Sequence, residues 1–272
     1  MTTMTLPVDM MSVKTRLSES WSAGDYDRFS RYMEGDAYSF YDRLAIAPGA
    51  KVLDVACGSG QFALIAAREG MDVTGVDIAE NSILRAEARA RAEDLSARFR
   101  VADAEALPFE DGEFDVVVSL IGAMFAPQPD MVASELSRVC APGGTLAMAN
   151  WTPSGFVGKM FKSVAKFIAP LGVPSPVLWG DEDTVRQRLG GRVSSLHMSR
   201  RYYTFSYPFP PTEVVDFFRL YYGPTNRAFA SLDLDGRRAL HGELQSLWAD
   251  HNTAQGDFTV VKGEYLEVIA IR

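Results

Sequence analysis

The sequence predicts an α/β fold, a doubly wound and mostly parallel sheet with a helical cap, on three observations. Short apolar runs alternate with helical patterns from residue 51 to residue 150. The first run ends in a glycine turn, Ala56-Cys57-Gly58-Ser59-Gly60, that opens directly into a helix. The runs that follow are short and Val-rich, as expected of parallel strands buried on both faces.

In chain order, residues 1–12 are expected to be frayed and 13–21 to form a short helix. Gly24 and Asp25 make a turn, after which helical spacing resumes through Phe29, Tyr32 and Met33, and again through Phe40, Tyr41 and Leu44. Pro48-Gly49 punctuates the start of the sheet. Strands are expected at 51–56, 72–76, 97–102, 114–120 and 145–150, separated by helices at 61–69, 80–95 and 129–140. Pro142-Gly143-Gly144 reads as a sharp stop before the fifth strand. Past Asn150 the rhythm changes. An amphipathic helix at 155–168 places Phe156, Met160, Phe161, Val164 and Phe167 at helical spacing, and a proline-rich loop follows at 170–176. Helices are expected at 182–189, 211–222 and 226–252, with Asp233 as a cap, and strands at 193–207 and 258–271. The two late strands are longer and more alternating than the others, which suits an antiparallel pair at the sheet edge. The chain thus divides into a helical segment at 1–44, a ligand-binding core at 45–150 and a cap with the last strands at 151–272.

Composition sets further bounds. The 272 residues, 47% hydrophobic and 23% charged, are ordinary for a globular protein of one large domain or one with an insertion. The formal charge is −8, and the densest basic stretch, 85–100, is interleaved with Glu87, Glu93 and Asp94. That is the pattern of a solvated helix face and argues against a nucleic-acid partner. Cys57 and Cys140 have neither metal-ligand spacing nor the density of a disulfide framework. The first twenty residues lack a long apolar core and carry Asp9 and Glu19. They read as neither signal peptide nor membrane span, so a cytoplasmic protein is expected.

Gly58-x-Gly60-x-x-Ala63 is a fair copy of the dinucleotide fingerprint, a weak match alone. Asp54, inside the first strand, changes its meaning: a carboxylate there repels a pyrophosphate but suits a ligand bearing an ammonium or sulfonium. Asp77, about twenty residues past the turn, is placed to accept from both ribose hydroxyls. After the third strand, Asp103 can accept from an exocyclic adenine amine while the next backbone N–H meets a ring nitrogen. Plainer alternatives are a capping or turn role for Asp54, a polar strand end for Asp77 and a capping role for Asp103. An NAD-dependent oxidoreductase shares the turn and Asp77, but not Asp54 or the Asp103-Ala104 pair.

These residues resemble the class I S-adenosyl-L-methionine-dependent methyltransferases, most closely the ubiquinone/menaquinone-biosynthesis-like small-molecule branch. The resemblance rests on Val52-Leu53-Asp54-Val55-Ala56-Cys57-Gly58-Ser59-Gly60, Val73-Thr74-Gly75-Val76-Asp77 and Asp103-Ala104-Glu105-Ala106-Leu107-Pro108-Phe109. Phe114-Asp115-Val116-Val117-Val118-Ser119 and Glu135-Leu136-x-Arg138-Val139-x-x-Pro142-Gly143-Gly144 follow in the same order. It implies a seven-stranded Rossmann-like sheet whose last strand inserts antiparallel between the fifth and sixth. It also implies roles. Gly58, Gly60 and the Ala56 backbone would line the methionine part of the cofactor, with Asp54 near its amino group. Asp77 would hold the ribose with Ile78 packed on the adenine, and Asp103 and Ala104 would read the adenine edge. Ser119 would lie near the transferred methyl, with Leu120 and Met124 as walls of the site. Trp21 and Tyr26 resemble the aromatic turn that closes over the cofactor.

Beyond Asn150 the resemblance thins. Trp151, Phe156, Met160, Phe161, Tyr202, Tyr203, Phe205 and Tyr207 are candidates for an acceptor pocket, with core packing as the plainer role. No catalytic base is expected: His197, His241 and His251 fall in the variable half, and Tyr26, Tyr202 and Tyr203 are weaker candidates. A metal is not expected either, since strands four and five end in Ser119 and Asn150 rather than carboxylates. Ser119-Leu120-Ile121-Gly122 also replaces the motif of nucleic-acid base methyltransferases. The expected partner is a small-molecule methyl acceptor of apolar or aromatic character, in a monomer or homodimer. A non-catalytic adenosylmethionine-binding protein would carry the same cofactor motifs.

Overall fold

Lys51–Val55 (β1) sits in the middle of a seven-stranded sheet in the computed structural model, which describes residues 9–272. On one side β1 pairs in parallel with Asp72–Asp77 (β2), and β2 with Ala97–Val101 (β3). On the other side it pairs with Phe114–Leu120 (β4), which pairs with Cys140–Trp151 (β5). The last strand, Thr259–Ile271 (β7), runs antiparallel between β5 and Ser195–Tyr207 (β6). The order is therefore β3-β2-β1-β4-β5-β7-β6. The two late strands need no helical crossover because they are antiparallel. The expected insertion of the last strand is met.

Direction reverses at β1: the chain winds outward through β2 and β3, then returns to β4. Such a switch point leaves a crevice at the carboxyl ends of β1 and β4, where ligands bind in open α/β sheets. Gln61–Arg68 (α4), Glu80–Ala92 (α5) and Pro129–Val139 (α6) cross between the parallel strands. Their apolar positions fill the core with β-branched neighbours; Val52, Leu53, Leu64, Val118, Leu136 and Leu146 are all fully buried.

Several boundaries differ from expectation. The first helix, Met10–Trp21 (α1), starts three residues early because Asp9 caps it, accepting from the Met11 N–H at 3.2 Å; the expected fraying of residues 1–8 lies outside the described residues. β3 is not buried on both faces: as the sheet edge, Ala97–Val101 is partly exposed and carries Arg98 and Arg100 outward. Pro142-Gly143-Gly144 does not precede β5 but lies within it. A register shift between Phe114 and Val116 absorbs the turn, and the Gly143 N–H donates to the Arg272 carbonyl. The stretch 226–252 is two helices, Gly223–Ala230 (α10) and Leu234–His251 (α11). Asp233 does cap, accepting from the Gly236 N–H at 2.8 Å, and so starts a new helix inside the expected one.

The remaining helices place walls around the crevice. Tyr26–Ser30 (α2) packs against α5 and against the helix that follows β6, and Glu34–Leu44 (α3) packs against α4. Phe156–Ala165 (α7), Glu182–Leu189 (α8) and Pro211–Tyr221 (α9) follow β5 and β6. The N-terminal arm is zipped to this late region through its backbone. Gly24 bridges Tyr222, and the Asp25 N–H donates to the Tyr221 carbonyl at 3.1 Å. Gly24 is left-handed (φ +74°), and a Cβ there would lie 2.6 Å from the Tyr221 carbonyl oxygen.

This contact sets a test. Gly24→Ala should lower stability by about 2–3 kcal/mol, combining left-handed strain with a backbone clash. Gly49→Ala, at φ +75° with open space around it, should lose only ~1 kcal/mol. Chemical denaturation of both variants reads the difference, and equal losses would mean that the bridge to Tyr222 is slack.

Candidate active site

The turn after β1 is built from three left-handed residues, Ala56 (φ 58°), Gly58 (φ 54°) and Gly60 (φ 86°). The Cys57 N–H donates to the Val76 carbonyl and the Gly60 N–H to the Cys57 carbonyl, so the loop is pinned to β2 and folded on itself. A Cβ on Gly58 would meet the Tyr26 ring at 3.1 Å; a Cβ on Gly60 would meet Leu64 and Ala86 instead. Gly58 therefore lets ligand-side groups approach, whereas Gly60 serves helix packing.

A cavity opens above this turn. Of the residues singled out from sequence, Tyr26, Asp54, Ala56, Gly58, Asp77, Ile78, Asp103, Ala104, Leu120, Trp21 and Tyr203 line it. Others do not. Ser119 is buried beneath it; its hydroxyl donates to the Val55 carbonyl and accepts from the Ala123 N–H, both at 2.8 Å. It thus holds the turn after β4 rather than facing a ligand. Met124 is core, in the 3-10 turn Ala123–Phe125. Phe156 packs on Trp248 at 4.5 Å between centroids. Tyr202 points to solvent, 55% exposed, because β6 alternates and its neighbour Tyr203 takes the inward position. Trp151 reaches a second, smaller cavity. The three histidines lie elsewhere: His197 meets Ser199, His241 nears Asp216, and His251 contacts Lys159 and the Leu247 carbonyl.

The carboxylates define the polar half of the cavity. Asp54 is buried in β1, and one oxygen accepts from the Ala63 N–H of α4 at 3.1 Å. Burial pushes its carboxyl up to about 7, with the charge of Asp77 adding to the rise against the single N–H bond. Asp77 accepts from the Gly58 N–H at 2.9 Å with one oxygen and from the Ala79 N–H at 2.8 Å with the other. Burial raises it too, while those N–H groups pull it down. Each oxygen keeps acceptor capacity for a ligand hydroxyl. Burial also lifts the phenols of Tyr26 and Tyr203 and the thiol of Cys57, so none supplies an anion near neutral pH.

Sequence reasoning missed the reach of α1. Lys14 lies 2.6 Å from Asp103 and 2.5 Å from Glu105, so the helix is tied across the cavity mouth. Burial alone would lower the ammonium, but hydrogen bonds to both carboxylates outweigh it and hold it above its usual value. Glu105 is buried and also accepts from the Gln128 backbone and side chain. Ser18 donates to the Ile78 carbonyl, and Asn81 to that of Ser22. No motif signals a contact between residues 14 and 103. Also missed was Ile121 (φ 55°), a β-branched residue in left-handed backbone on the cavity wall. Its neighbour Gly122 is required to be glycine, since a Cβ there would lie 2.5 Å from the Ala56 carbonyl oxygen.

Known proteins share this arrangement. The family described as "Methyltransferase domain" matches residues 53–148, which span β1 to β5 and hold the turn and all three aspartates. An uncharacterized protein of Mycobacterium tuberculosis is 38% identical over 235 residues, 85% of this chain and 86% of that one. The 2-methyl-6-phytyl-1,4-hydroquinone methyltransferase of Synechocystis is 43% identical over 107 residues, 39% of this chain and 33% of that enzyme. Among solved structures, the YcgJ protein of Bacillus subtilis superposes with a TM-score of 0.62 at 15% identity, covering 88% of this chain and 98% of that one; at this identity the likeness is one of fold. With its strand order, its glycine turn and its acidic strand ends, the chain belongs to the class I S-adenosylmethionine-dependent methyltransferases.

Proposed function

We propose that the enzyme methylates an apolar or aromatic small molecule, by positioning rather than by base catalysis. One observation carries this reading. The charged side chains lining the main cavity are Lys14, Asp54, Asp77 and Asp103, which belong to the cofactor half, while the opposite half is apolar and aromatic.

The residues fit the cofactor. Asp54 holds a carboxylate oxygen for its ammonium, and Ala56 and Gly58 offer bare backbone to the methionine part. Asp77 takes the ribose hydroxyls on acceptor positions not used by Gly58 and Ala79. Ile78 packs on the adenine, whose edge meets Asp103 and Ala104. Bound adenosylmethionine supplies a methyl on a cationic sulfur, which moves to an acceptor lone pair as the sulfur keeps the S–C electrons and becomes a neutral thioether. What the chain contributes is alignment and exclusion of water. Trp21 and Tyr26 close over the cavity from the N-terminal arm. With the Tyr26 and Tyr203 phenols raised, an acceptor proton leaves to solvent rather than to a side chain. The Asp54 and Asp103-Ala104 pattern speaks against a nicotinamide cofactor, for which the first strand would carry no carboxylate beside the pyrophosphate. Release of adenosylhomocysteine from a panel of phenolic, hydroquinone, amine and thiol acceptors tests the reading; turnover should favour uncharged aromatic acceptors. No binding of adenosylhomocysteine, or stabilisation by NADH alone, would overturn it.

Asp54 makes the cofactor affinity pH-dependent. Its carboxyl is raised in the free protein, to about 7 from 3.8, so the stability it contributes is full below the lower value and lost as pH rises through the upper one. A ligand ammonium favours the ionised form, so binding below pH 7 releases a proton. Adenosylhomocysteine affinity should therefore rise by up to about tenfold per pH unit approaching pH 7 and flatten above it. Calorimetric titration at several pH values checks this, and Asp54→Asn should bind weakly with a flat profile. A sloped profile in that variant would assign the proton elsewhere.

Lys14→Ala should free α1 from the acids beneath it. Amide exchange across residues 10–21 should quicken by about tenfold, equivalent to ~1.4 kcal/mol. Unchanged exchange would mean that Ser18 and Asn81 hold the helix unaided.

A further inference from the structure

Gln61 lines the main cavity and is the first residue of α4, directly after the glycine turn. Its amide lies beside Gly58: a Cβ on that glycine would meet Oε1 at 3.3 Å and the Tyr26 ring at 3.1 Å. Two serines grip the amide from its other side. Nε2 donates to Ser59 Oγ at 2.8 Å and to Ser30 Oγ. Ser30 passes its own proton to the Asp27 carbonyl at 3.1 Å. Ser59 is 1% exposed, and in this arrangement its hydroxyl serves only as an acceptor. A half-turn of the amide exchanges its nitrogen and oxygen without moving either position. Oε1 then accepts from both serine hydroxyls, and Nε2 presents its N–H groups to the Gly58 side.

We propose that Gln61 holds the carboxylate of the cofactor's methionine part, with its amide turned so that Nε2 donates to it. The methionine part is a zwitterion, and the charges of the cavity suit only one end of it. Asp54 and Asp77 attract the ammonium and repel the carboxylate. Lys14 is the single cation among the described lining residues, and Asp103 and Glu105 already engage it at 2.6 and 2.5 Å. A carboxylate beside the glycine turn therefore needs neutral donors. The Tyr203 hydroxyl donates to the Met33 carbonyl at 3.0 Å, and that of Ser30 is held by Asp27 or by Gln61 itself. Gln61 brings two N–H groups on an amide oriented by two buried hydroxyls. Its place in the first turn of α4 adds the positive end of that helix. A lysine or arginine at this position would share the cavity with Asp54 and pair with it, in competition with the ligand ammonium. A neutral amide binds the carboxylate and leaves Asp54 to the ammonium, so the two ends of the zwitterion are read by separate groups.

The inference rests on the methyltransferase reading, and the choice of ligands separates the two. Wild type, Gln61→Ala and Gln61→Glu are each titrated calorimetrically with three compounds. These are adenosylhomocysteine, its decarboxylated analogue S-adenosyl-3-thiopropylamine, and 5′-methylthioadenosine, which lacks the amino-acid end. Gln61→Ala should weaken adenosylhomocysteine by about tenfold or more and leave methylthioadenosine within about twofold. Gln61→Glu keeps the shape and the serine contacts but sets a negative charge against the carboxylate. It should weaken adenosylhomocysteine by about a hundredfold, yet bind the decarboxylated analogue more tightly than wild type does. An amide that met the ammonium instead would give the opposite sign, with Gln61→Glu binding adenosylhomocysteine more tightly. That result, unchanged adenosylhomocysteine affinity in either variant, or equal weakening of all three ligands by Gln61→Ala would overturn the proposal. Failure of the wild type to bind any of the three would instead overturn the underlying reading.

Discussion

A carboxylate inside a central strand, Asp54, is the constraint around which this enzyme is arranged. It lies in β1 between two parallel neighbours, with one backbone N–H from α4 as its bond. An isolated ionised carboxyl in that setting is expensive, and it responds by holding its proton up to about pH 7. A ligand that brought a positive charge to it would favour the ionised form, and Asp54 lines the cavity above the glycine turn. Asp77 extends the same logic one strand outward, with two N–H bonds in place of one.

That room exists because two loops approach backbone to backbone. Ala56 is left-handed so that the chain can leave β1 sharply, and Gly122 has no side chain so that the loop after β4 can lie against the Ala56 carbonyl. The Ser119 hydroxyl ties the same loop to Val55 and Ala123, which fixes it from below. Ile121 absorbs the strain in a backbone region that a β-branched residue rarely adopts. The crevice at the switch point is thus held open by covalent geometry and local hydrogen bonds, not by the helices that roof it.

The gathering of the acidic residues at one cavity was legible because its determinants are local. Asp54 lies one residue before the end of β1, Asp77 ends β2, and Gly58 and Asp103 follow the ends of β1 and β3 within three residues; strand ends are marked by the change from apolar run to turn. Parallel pairing then brings those ends to one edge whatever the flanking helices do. Ser119 also stands at a strand end, yet it points beneath the cavity, since one position along a strand exchanges faces. The same period-two rule separates Tyr203, inward and bonded to the Met33 carbonyl, from exposed Tyr202. Illegible were the contacts between distant segments: Lys14 with Asp103, Gly24 with Tyr222, and Trp21 with Phe125. Neither spacing nor periodicity encodes these, because they join elements far apart in sequence whose docking is set only in the folded chain.

Those distant contacts have a common consequence. α1 is tied to the region past β2 and β3 by Lys14, Ser18 and the Ser22 carbonyl, while the turn that follows it is tied through its backbone to Tyr221 and Tyr222 at the end of α9. Trp21, at the end of α1, stands between the two anchorages and between the two cavities. An arm fixed at both ends in this way cannot lift from the cavity mouth without breaking contacts at one anchorage or the other.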